Sequence, residues 1–135
     1  MERSTSQDPR RLRELLARAE MLAQEHGLRS VLVGLSGFEG DLAFPEIVDY
    51  VESALRVDDA LFRMTRERVV ILLTDVDADQ AAGIVARLLD EYREHYPSTS
   101  EPTVGLGQFE IGPDTTEVSL KLVLPALFAT PPTSH

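Results

Sequence analysis

The stretch from Arg56 to Leu73, RVDDALFRMTRERVVILL, contains the strongest structural signal in the chain. Strand-favouring residues dominate Asp59 to Met64 and again Val69 to Thr74, and the polar segment Thr65 to Arg68 separates these two runs. Two such runs joined by a short polar segment predict a β-hairpin. The turn contains no glycine, so it lacks the residue that short hairpin turns favour.

Helical and strand patterns continue on both sides of this hairpin. The predicted order is helix Pro9–His26, strand Ser30–Leu35, helix Phe44–Leu55, the hairpin, helix Ala78–Tyr92, strand Thr103–Ile111 and helix Asp114–Leu124. Asp77 and Gln80 are predicted to cap the third helix, and Pro125 to end or kink the last one. The order α-β-α-β-β-α-β-α predicts an α/β (α+β) fold, with a mixed sheet and flanking helices.

Length and composition set further bounds. We expect residues 1–135 to form a single domain, with flexible ends at residues 1–7 and 130–135. The longest apolar run, Val69 to Leu73, is too short to cross a bilayer, and no secretory signal follows Met1. The chain has no cysteine, which excludes disulfides and thiolate chemistry. A cytoplasmic location is therefore the default expectation.

The charge balance limits the classes of partner. A net charge of −10 repels nucleic acid and anionic lipid, so we expect neither nucleic-acid binding nor membrane insertion. Lys121 is the single lysine, and all other basic residues are arginines. Because a guanidinium suits phosphate and stacks on flat bases, a small anionic ligand remains possible where a few arginines converge.

The hairpin region resembles the core of GGDEF domains, the bacterial enzymes that make cyclic di-GMP. That family typically has R-x-x-D, five residues, and then G-G-D/E-E-F before an apolar strand. Arg56 and Asp59 stand at the first two places with the five-residue spacing kept, whereas the signature is replaced by Thr65 to Val69. The later segment TVGLGQF, from Thr103, resembles the family's late strand. The resemblance implies a palm-like fold similar to that of adenylate cyclases.

The same resemblance implies that catalysis has been lost. Nucleotidyl transfer needs carboxylates that hold divalent cations against a triphosphate. Gly34 and Ser36 occupy the two aspartate places at the end of the first strand, which leaves Glu67 as one remaining metal-site carboxylate. Thr65 and Arg66 replace the paired glycines that let the backbone approach phosphate. We therefore predict no catalytic residues, no metal site and no cofactor.

The surviving R-x-x-D implies a different site. In active members of the family it is an inhibitory product-binding site on the far side of the hairpin from the catalytic pocket. The resemblance implies that Arg56 contacts phosphate or guanine, that Asp59 accepts hydrogen bonds from the guanine edge, and that Arg87 completes the site. The predicted ligand is cyclic di-GMP.

The same residues have plainer interpretations. Arg56 is favoured at a helix C-terminus by the helix dipole, and Arg56 with Asp59 can be an exposed ion pair worth less than about 1 kcal/mol. Arg87 is an ordinary residue on a helix flank, and Asp58 adds a negative charge that opposes phosphate binding.

The sequence thus favours a catalytically inactive GGDEF-like receptor for cyclic di-GMP, which signals through changed association with itself or another signalling protein. The alternative is a ligand-independent interaction or dimerisation module, in which the helix Pro9–His26 packs against a partner helix. A basic cluster of Arg63, Arg66 and Arg68 with Arg56 either docks an acidic partner or only solvates the hairpin. Residual nucleotide chemistry is a third, weaker possibility.

Overall fold

The computed structural model describes residues 9–38, 40, 42–96 and 104–129 of the chain. The elements are α1 (Pro9–His26), β1 (Ser30–Ser36), α2 (Ala43–Ala54), β2 (Ala60–Thr65), β3 (Arg68–Thr74), α3 (Ala78–His95), β4 (Gly105–Ile111) and α4 (Leu120–Leu127). The predicted fold class and order of elements are confirmed. The ends expected to be flexible, residues 1–7 and 130–135, lie outside the described residues.

The strands form a four-stranded sheet in the order β2-β3-β1-β4. Every pairing between neighbouring described strands is antiparallel. The sequence predicts a mixed sheet, whereas the observed sheet is antiparallel. The hairpin is confirmed, and its turn consists of Arg66 and Glu67 because Thr65 and Arg68 pair as strand residues. A register shift between Arg63 and Thr65 adds local twist, and the turn residues keep negative φ angles.

Helices cover both faces of the sheet and divide the core in two. α2 and α3 pack on the face that contains Val31 and Val33 of β1, and α1 and α4 pack on the face that contains Leu32. β1 is buried along its whole length, which explains its nearly continuous apolar sequence.

The apolar face of the first helix is buried in this core. Its buried residues are Leu12, Leu15, Leu16, Ala19 and Ala23. These side chains pack with Leu32 of β1 and Val70 of β3. The suggestion that this helix packs against a partner helix is therefore wrong for its apolar face, because that face already contacts the sheet.

The backbone between β3 and α3 has a well-defined conformation. Asp75 has a φ of 60°, in the left-handed region that residues other than glycine rarely adopt. Asp77 accepts a hydrogen bond from the Gln80 backbone at 2.8 Å, and the Gln80 side chain accepts one from the Asp77 backbone at 2.9 Å. The predicted capping pair is confirmed. It fixes the start of α3 beside the end of β3.

The last helix differs from its prediction. It begins at Leu120 instead of Asp114, because Ser119 caps it by accepting a hydrogen bond from the Leu122 backbone at 3.3 Å. Pro125 lies inside the helix and does not end it. Burial of Val123 and Leu127 holds the helix on the sheet in spite of the hydrogen bond that a proline removes.

Two glycines let α4 approach the sheet closely. Gly34 of β1 and Gly107 of β4 are directly paired across the two strands. A Cβ atom built on Gly34 would lie 2.6 Å from the carbonyl oxygen of Leu127, and one built on Gly107 would collide with the same oxygen. The end of α4 thus rests on bare backbone, and any side chain at either glycine would displace it.

We predict that Gly34→Ala destabilises the protein by about 2–3 kcal/mol, since an added methyl group overpacks against backbone that cannot rotate away. Gly83→Ala is the matched control. Gly83 lies within α3 with open space around its Cβ position, so this change should stabilise the fold by about 0.5–1 kcal/mol. Urea unfolding of the two variants measures both effects. Equal stability of Gly34→Ala and the native chain would contradict the close approach of α4.

Candidate functional site

The loop between α2 and β2 carries the two predicted site residues, Arg56 and Asp59. α2 ends where Leu55 becomes extended, and the loop then closes on itself through a hydrogen bond from the Asp59 backbone N–H to the Arg56 carbonyl at 3.0 Å. The loop lies against Thr74, the last residue of β3. Arg56 and Asp59 lie side by side in this loop, with Arg56 Nε 3.3 Å from Asp59 Oδ2, and their role in binding a ligand stays a prediction.

The Asp59 carboxylate is the centre of this loop. Its side chain is only 3% exposed. One oxygen, Oδ1, accepts hydrogen bonds from the Thr74 backbone at 3.1 Å, the Thr74 hydroxyl at 3.5 Å and Arg56 Nη2 at 3.3 Å. The other oxygen, Oδ2, accepts from the Arg56 backbone at 3.1 Å and Arg56 Nε at 3.3 Å. Since a carboxylate offers about four lone-pair sites, no capacity remains for a further donor.

Arg56 is held along one edge and is exposed along the other. Its Nη2 group also donates to the Thr74 carbonyl oxygen, whereas its Nη1 group contacts no acceptor among the described residues. The side chain is 56% exposed. The hydrogen bond and the charge of Asp59 raise the pKa of Arg56, with smaller contributions from Asp58 and Asp75. The guanidinium therefore stays charged and presents one edge with two donors to solvent.

Arg87 lies apart from this pair. It is exposed on α3, where its Nε atom is 3.9 Å from the Glu91 carboxylate. Glu91 in turn accepts a hydrogen bond from the Tyr50 hydroxyl of α2 at 3.3 Å, so Arg87 lies on the flank of α3 that faces α2. Burial, followed by the charge of Glu91, raises the pKa of Tyr50. No contact among the described residues joins Arg87 to Arg56 or Asp59.

The opposite end of the hairpin is its turn, Arg66 and Glu67, where the family's signature is predicted to be replaced. The Glu67 backbone N–H donates to Thr65 Oγ1 within the turn at 3.1 Å, and the Glu67 carbonyl oxygen accepts a hydrogen bond from the Gly37 backbone N–H at 2.9 Å. Gly34, where the resemblance predicts a lost aspartate, is covered by Leu127 of α4. Across the described ranges, no group of three or more histidine or acidic side chains is placed to hold a metal ion.

The predicted basic cluster does not form. Arg63 turns toward α2, where it donates to Asp49 at 2.9 Å and to Glu52 at 3.0 Å. Arg68 turns to the other face and stacks on the ring of Phe128, 5.1 Å from its centre. Arg56 lies at the far end of the hairpin. Arg63 pairs with Val69, and successive side chains of a strand point to opposite faces, so Arg68 lies on the other face from Arg63. Arg63 and Arg66 line a common cavity, but Arg56 and Arg68 do not join them there.

Sequence reasoning missed two contacts of the loop. Thr74 supplies Asp59 with a backbone and a hydroxyl donor, and Arg18 of α1 donates from Nη2 to the Asp58 carbonyl at 3.1 Å. A polar residue at the end of an apolar strand is the only sequence signal for Thr74. Arg18 lies 40 residues from Asp58 in the sequence, and the residues around Arg18 give no indication of this contact.

A cavity of about 310 Å³ lies beside the hairpin, between its turn and α2. Its lining residues are Pro45, Val48, Asp49, Arg63, Thr65, Arg66 and Val69. Arg63 already pairs with two carboxylates there, so Arg66 is the lining cation without an ion pair among the described residues.

A family model described as diguanylate cyclase, GGDEF domain, matches residues 37–123, well over half of the chain. A search of the curated proteins finds no match. Within the described residues, no helix combines the length and the apolar character that crossing a membrane requires.

Solved structures share the fold at low sequence identity. The GGDEF domain of FimX from Pseudomonas aeruginosa has a TM-score of 0.70 and 15% identity, covering 90% of this chain and 83% of that one. PelD from P. aeruginosa PA14, in complex with c-di-GMP, has a TM-score of 0.67 and 24% identity, covering 90% and 45%. PelD from P. aeruginosa PAO1 has a TM-score of 0.67 and 24% identity, covering 85% and 42%. The chain thus spans less than half the length of these PelD chains.

We predict that Asp59→Ala lowers the free energy of unfolding by about 2–4 kcal/mol, because it leaves the Thr74 N–H and the Arg56 guanidinium without their acceptor. Asp58→Ala is the matched control, since Asp58 is exposed and its change should stay within about 0.5 kcal/mol. Urea unfolding at neutral pH compares the two. A similar small effect for both variants would show that Asp59 is no internal anchor.

Proposed function

This chain belongs to the GGDEF domain family, and we propose that it is a receptor for cyclic di-GMP that does not synthesise the messenger. The main observation in support of the proposal is the way in which Arg56 is held and exposed. Its guanidinium is fixed by a buried carboxylate and keeps one edge open to solvent. A structural neighbour, PelD, has been solved in complex with c-di-GMP, which supports the choice of ligand.

Arg56 is the anchor of the proposed site. Its Nη1 donors are directed away from the protein acceptors and can bond a phosphate oxygen or the acceptor edge of guanine. A charged hydrogen bond of this kind contributes roughly 1.5–3 kcal/mol. Because Asp59 and Thr74 already hold the side chain, binding loses little rotamer entropy, which otherwise opposes affinity.

Arg87 is proposed as a second cation of the same site. α2 ends and α3 begins at the Thr74 end of the sheet, and Arg87 lies on the α2-facing flank of α3. Its partner Glu91 is 3.9 Å away and both side chains are largely exposed, so the ion pair is weak. A dianionic ligand can therefore draw Arg87 away from Glu91.

The absence of catalysis is proposed from packing as well as from residue identity. Gly34 and Ser36 offer no carboxylate, and the backbone of Leu127 fills the space that a side chain at position 34 would need. Thr65 and Arg66 carry side chains where the family's glycines leave room. A single acidic residue, Glu67, is a poor magnesium site.

A receptor that does not convert its ligand signals that the ligand is bound by changing its contacts with other molecules. We propose that occupancy of the Arg56 site changes how the chain associates with itself or with another signalling protein, in the cytoplasm. The alternative is a ligand-independent interaction module on the same fold, and it is an outcome of the test below.

Titration calorimetry with cyclic di-GMP should give a micromolar affinity for the native chain, equivalent to about −8 kcal/mol. Arg56→Ala should weaken binding at least about tenfold, and Arg56→Lys should retain part of it, because an ammonium keeps the charge and loses the planar fork. Arg66→Ala is the control, since it removes the same charge from the opposite end of the hairpin. Circular dichroism establishes that each variant is folded.

Two results would contradict the proposal. Absence of heat with the native chain would favour the ligand-independent module. Turnover of GTP in the presence of Mg²⁺ would contradict the non-enzymatic assignment that rests on Gly34, Ser36 and the covering helix α4.

A further inference from the structure

We infer that the open edge of the sheet, formed by β4 with the flank of α3 beside it, is a docking surface for a second copy of this chain. The two copies pair their β4 strands in antiparallel fashion about a twofold axis. This edge is opposite to the β2 edge, beside which the Arg56 loop lies. The inference therefore goes beyond the proposed function and holds with or without cyclic di-GMP.

The backbone groups of β4 alternate between β1 and the open edge. The Gly37 N–H donates to the Glu67 carbonyl oxygen at 2.9 Å, on the β3 side of β1. Since successive residues of a strand direct their backbone groups to opposite sides, the even-numbered residues of β1 bond β4. The register pairs Gly34 with Gly107, so the odd-numbered residues of β4 bond β1 in return.

The even-numbered residues of β4 direct their N–H and C=O groups away from the sheet. These residues are Leu106, Gln108 and Glu110. Within the described ranges, none of their backbone groups bonds another residue. An edge strand with unpaired backbone groups can bond a further strand along its whole length.

The two edges of the sheet differ in how well they resist such pairing. In β2 the register shifts between Arg63 and Thr65, and Arg63 carries its charge onto the α2 face of the strand. Bulges and inward-pointing charges protect edge strands from pairing with other chains. The register of β4 is continuous from Gly105 to Ile111, and its one charged residue, Glu110, lies near its end. β4 is therefore the edge that is open to a partner.

An apolar groove follows the β4 edge on the face covered by α3. Leu106 pairs with Leu35 of the core on this face and is still 42% exposed. Beside it lies a cavity of about 330 Å³, lined by Ala82, Val85 and Ala86 of α3 and by Val33, Gly107 and Gln108 of the sheet. Pairing of two β4 strands would bury Leu106 and cover the groove, which adds apolar burial to the backbone hydrogen bonds.

A twofold axis through Gln108 pairs every outward residue of both copies. It sets Gln108 opposite its own counterpart and Leu106 opposite Glu110 of the second copy. At each such pair, antiparallel strands exchange two backbone hydrogen bonds. One surface thus supplies both halves of the contact, as a twofold dimer requires.

The edge is nearly neutral in a protein of net charge −10. Glu110 is the single charged residue of β4, and Arg29 neutralises it from 2.9 Å. In the register through Gln108, Glu110 faces Leu106 of the second copy, so like charges do not meet directly. Two acidic copies can therefore approach each other through this surface.

The segments of this sequence outside the described residues suit the edge poorly. Residues 130–135, TPPTSH, contain consecutive prolines, and residues 97–103, PSTSEPT, contain two prolines. Proline has no N–H to donate to a neighbouring strand. Residues 1–8, MERSTSQD, have no apolar side chain after Met1 to cover the groove. A second β4 strand is the better occupant.

The size of the surface predicts a weak dimer. The seven residues of β4 extend for roughly 23 Å. With the side chains on both faces of the strand, two copies would bury about 1,000 Å² in total, at the lower end of specific interfaces. We expect a dissociation constant of about 10–100 µM.

Analytical ultracentrifugation without ligand, over concentrations that bracket this value, tests the inference. The native chain should shift from the 15.0 kDa monomer toward twice that mass as its concentration rises. Gln108→Pro should weaken association at least about tenfold, because proline removes an outward donor and leaves the bonds to β1 in place. Gln108→Thr is the matched control. It keeps the N–H and favours a strand, so it should dimerise like the native chain.

Leu106→Lys tests the groove separately, since a charged side chain on the edge opposes strand pairing. Met21→Lys is its control, because Met21 on α1 is 40% exposed, close to the 42% of Leu106, and both variants change the net charge equally. Leu106→Lys should abolish the dimer and Met21→Lys should leave it unchanged. Circular dichroism establishes that each variant is folded, and Leu106→Lys decides the question if Gln108→Pro unfolds.

Amide hydrogen exchange identifies the surface that is used. The N–H groups of Leu106, Gln108 and Glu110 should exchange rapidly in dilute protein and become protected in concentrated protein. Those of Gly107 and Phe109, which bond β1, should stay protected in both.

Three results would overturn the inference: a native chain that stays monomeric at all concentrations, a dimer that Leu106→Lys leaves intact, or protection of the outward amides in the dilute monomer. The last would mean that another segment of the chain already covers the edge. Because cyclic di-GMP is absent from these measurements, their failure is distinguishable from failure of the receptor proposal, which calorimetry alone decides.

Discussion

The buried Asp59 carboxylate determines the arrangement of the loop between α2 and β2. It accepts hydrogen bonds from the backbone and hydroxyl of Thr74 and from the backbone and guanidinium of Arg56. A charge with so little exposure is tolerated because every lone pair is used. The consequence is a loop in which one acid is internal, its neighbour Asp58 is exposed, and the arginine is directed outward.

The two ends of the hairpin have different surroundings. At one end, Arg56 is still held by a partner inside the protein and is presented to solvent. Near the other end, Gly34 and Gly107 have no side chains, and the backbone of α4 therefore rests directly on the sheet. An aspartate at position 34 would require α4 to move, because the backbone of Leu127 occupies the space that its side chain would need.

Local sequence patterns predicted much of this structure. The alternation of apolar and polar residues identified the hairpin and the helices, the Asp77 and Gln80 spacing identified a cap, and the spacing of Arg56 and Asp59 placed them side by side. These features depend on residues that are near each other in the chain, where periodicity and capping chemistry are direct signals.

The remaining features depend on contacts between distant segments. Burial of Asp59 follows from its contact with Thr74, 15 residues away, and the separation of Arg63 from Arg68 follows from the face to which each side chain points. The position of the C-terminal end of α4 follows from the packing of Leu127 on Gly34 and Gly107. Strand register and helix docking decide all of these, and neither can be determined from short-range patterns.

The most direct test of this account is the hydrogen exchange of the Thr74 amide, followed by NMR in the native chain alone and saturated with cyclic di-GMP. If Asp59 is the internal anchor of the loop, that amide exchanges slowly in the protein alone and remains protected with ligand bound. Rapid exchange in the protein alone, or loss of protection when the ligand binds, would contradict the account, because either result would mean that the carboxylate is not committed to Thr74.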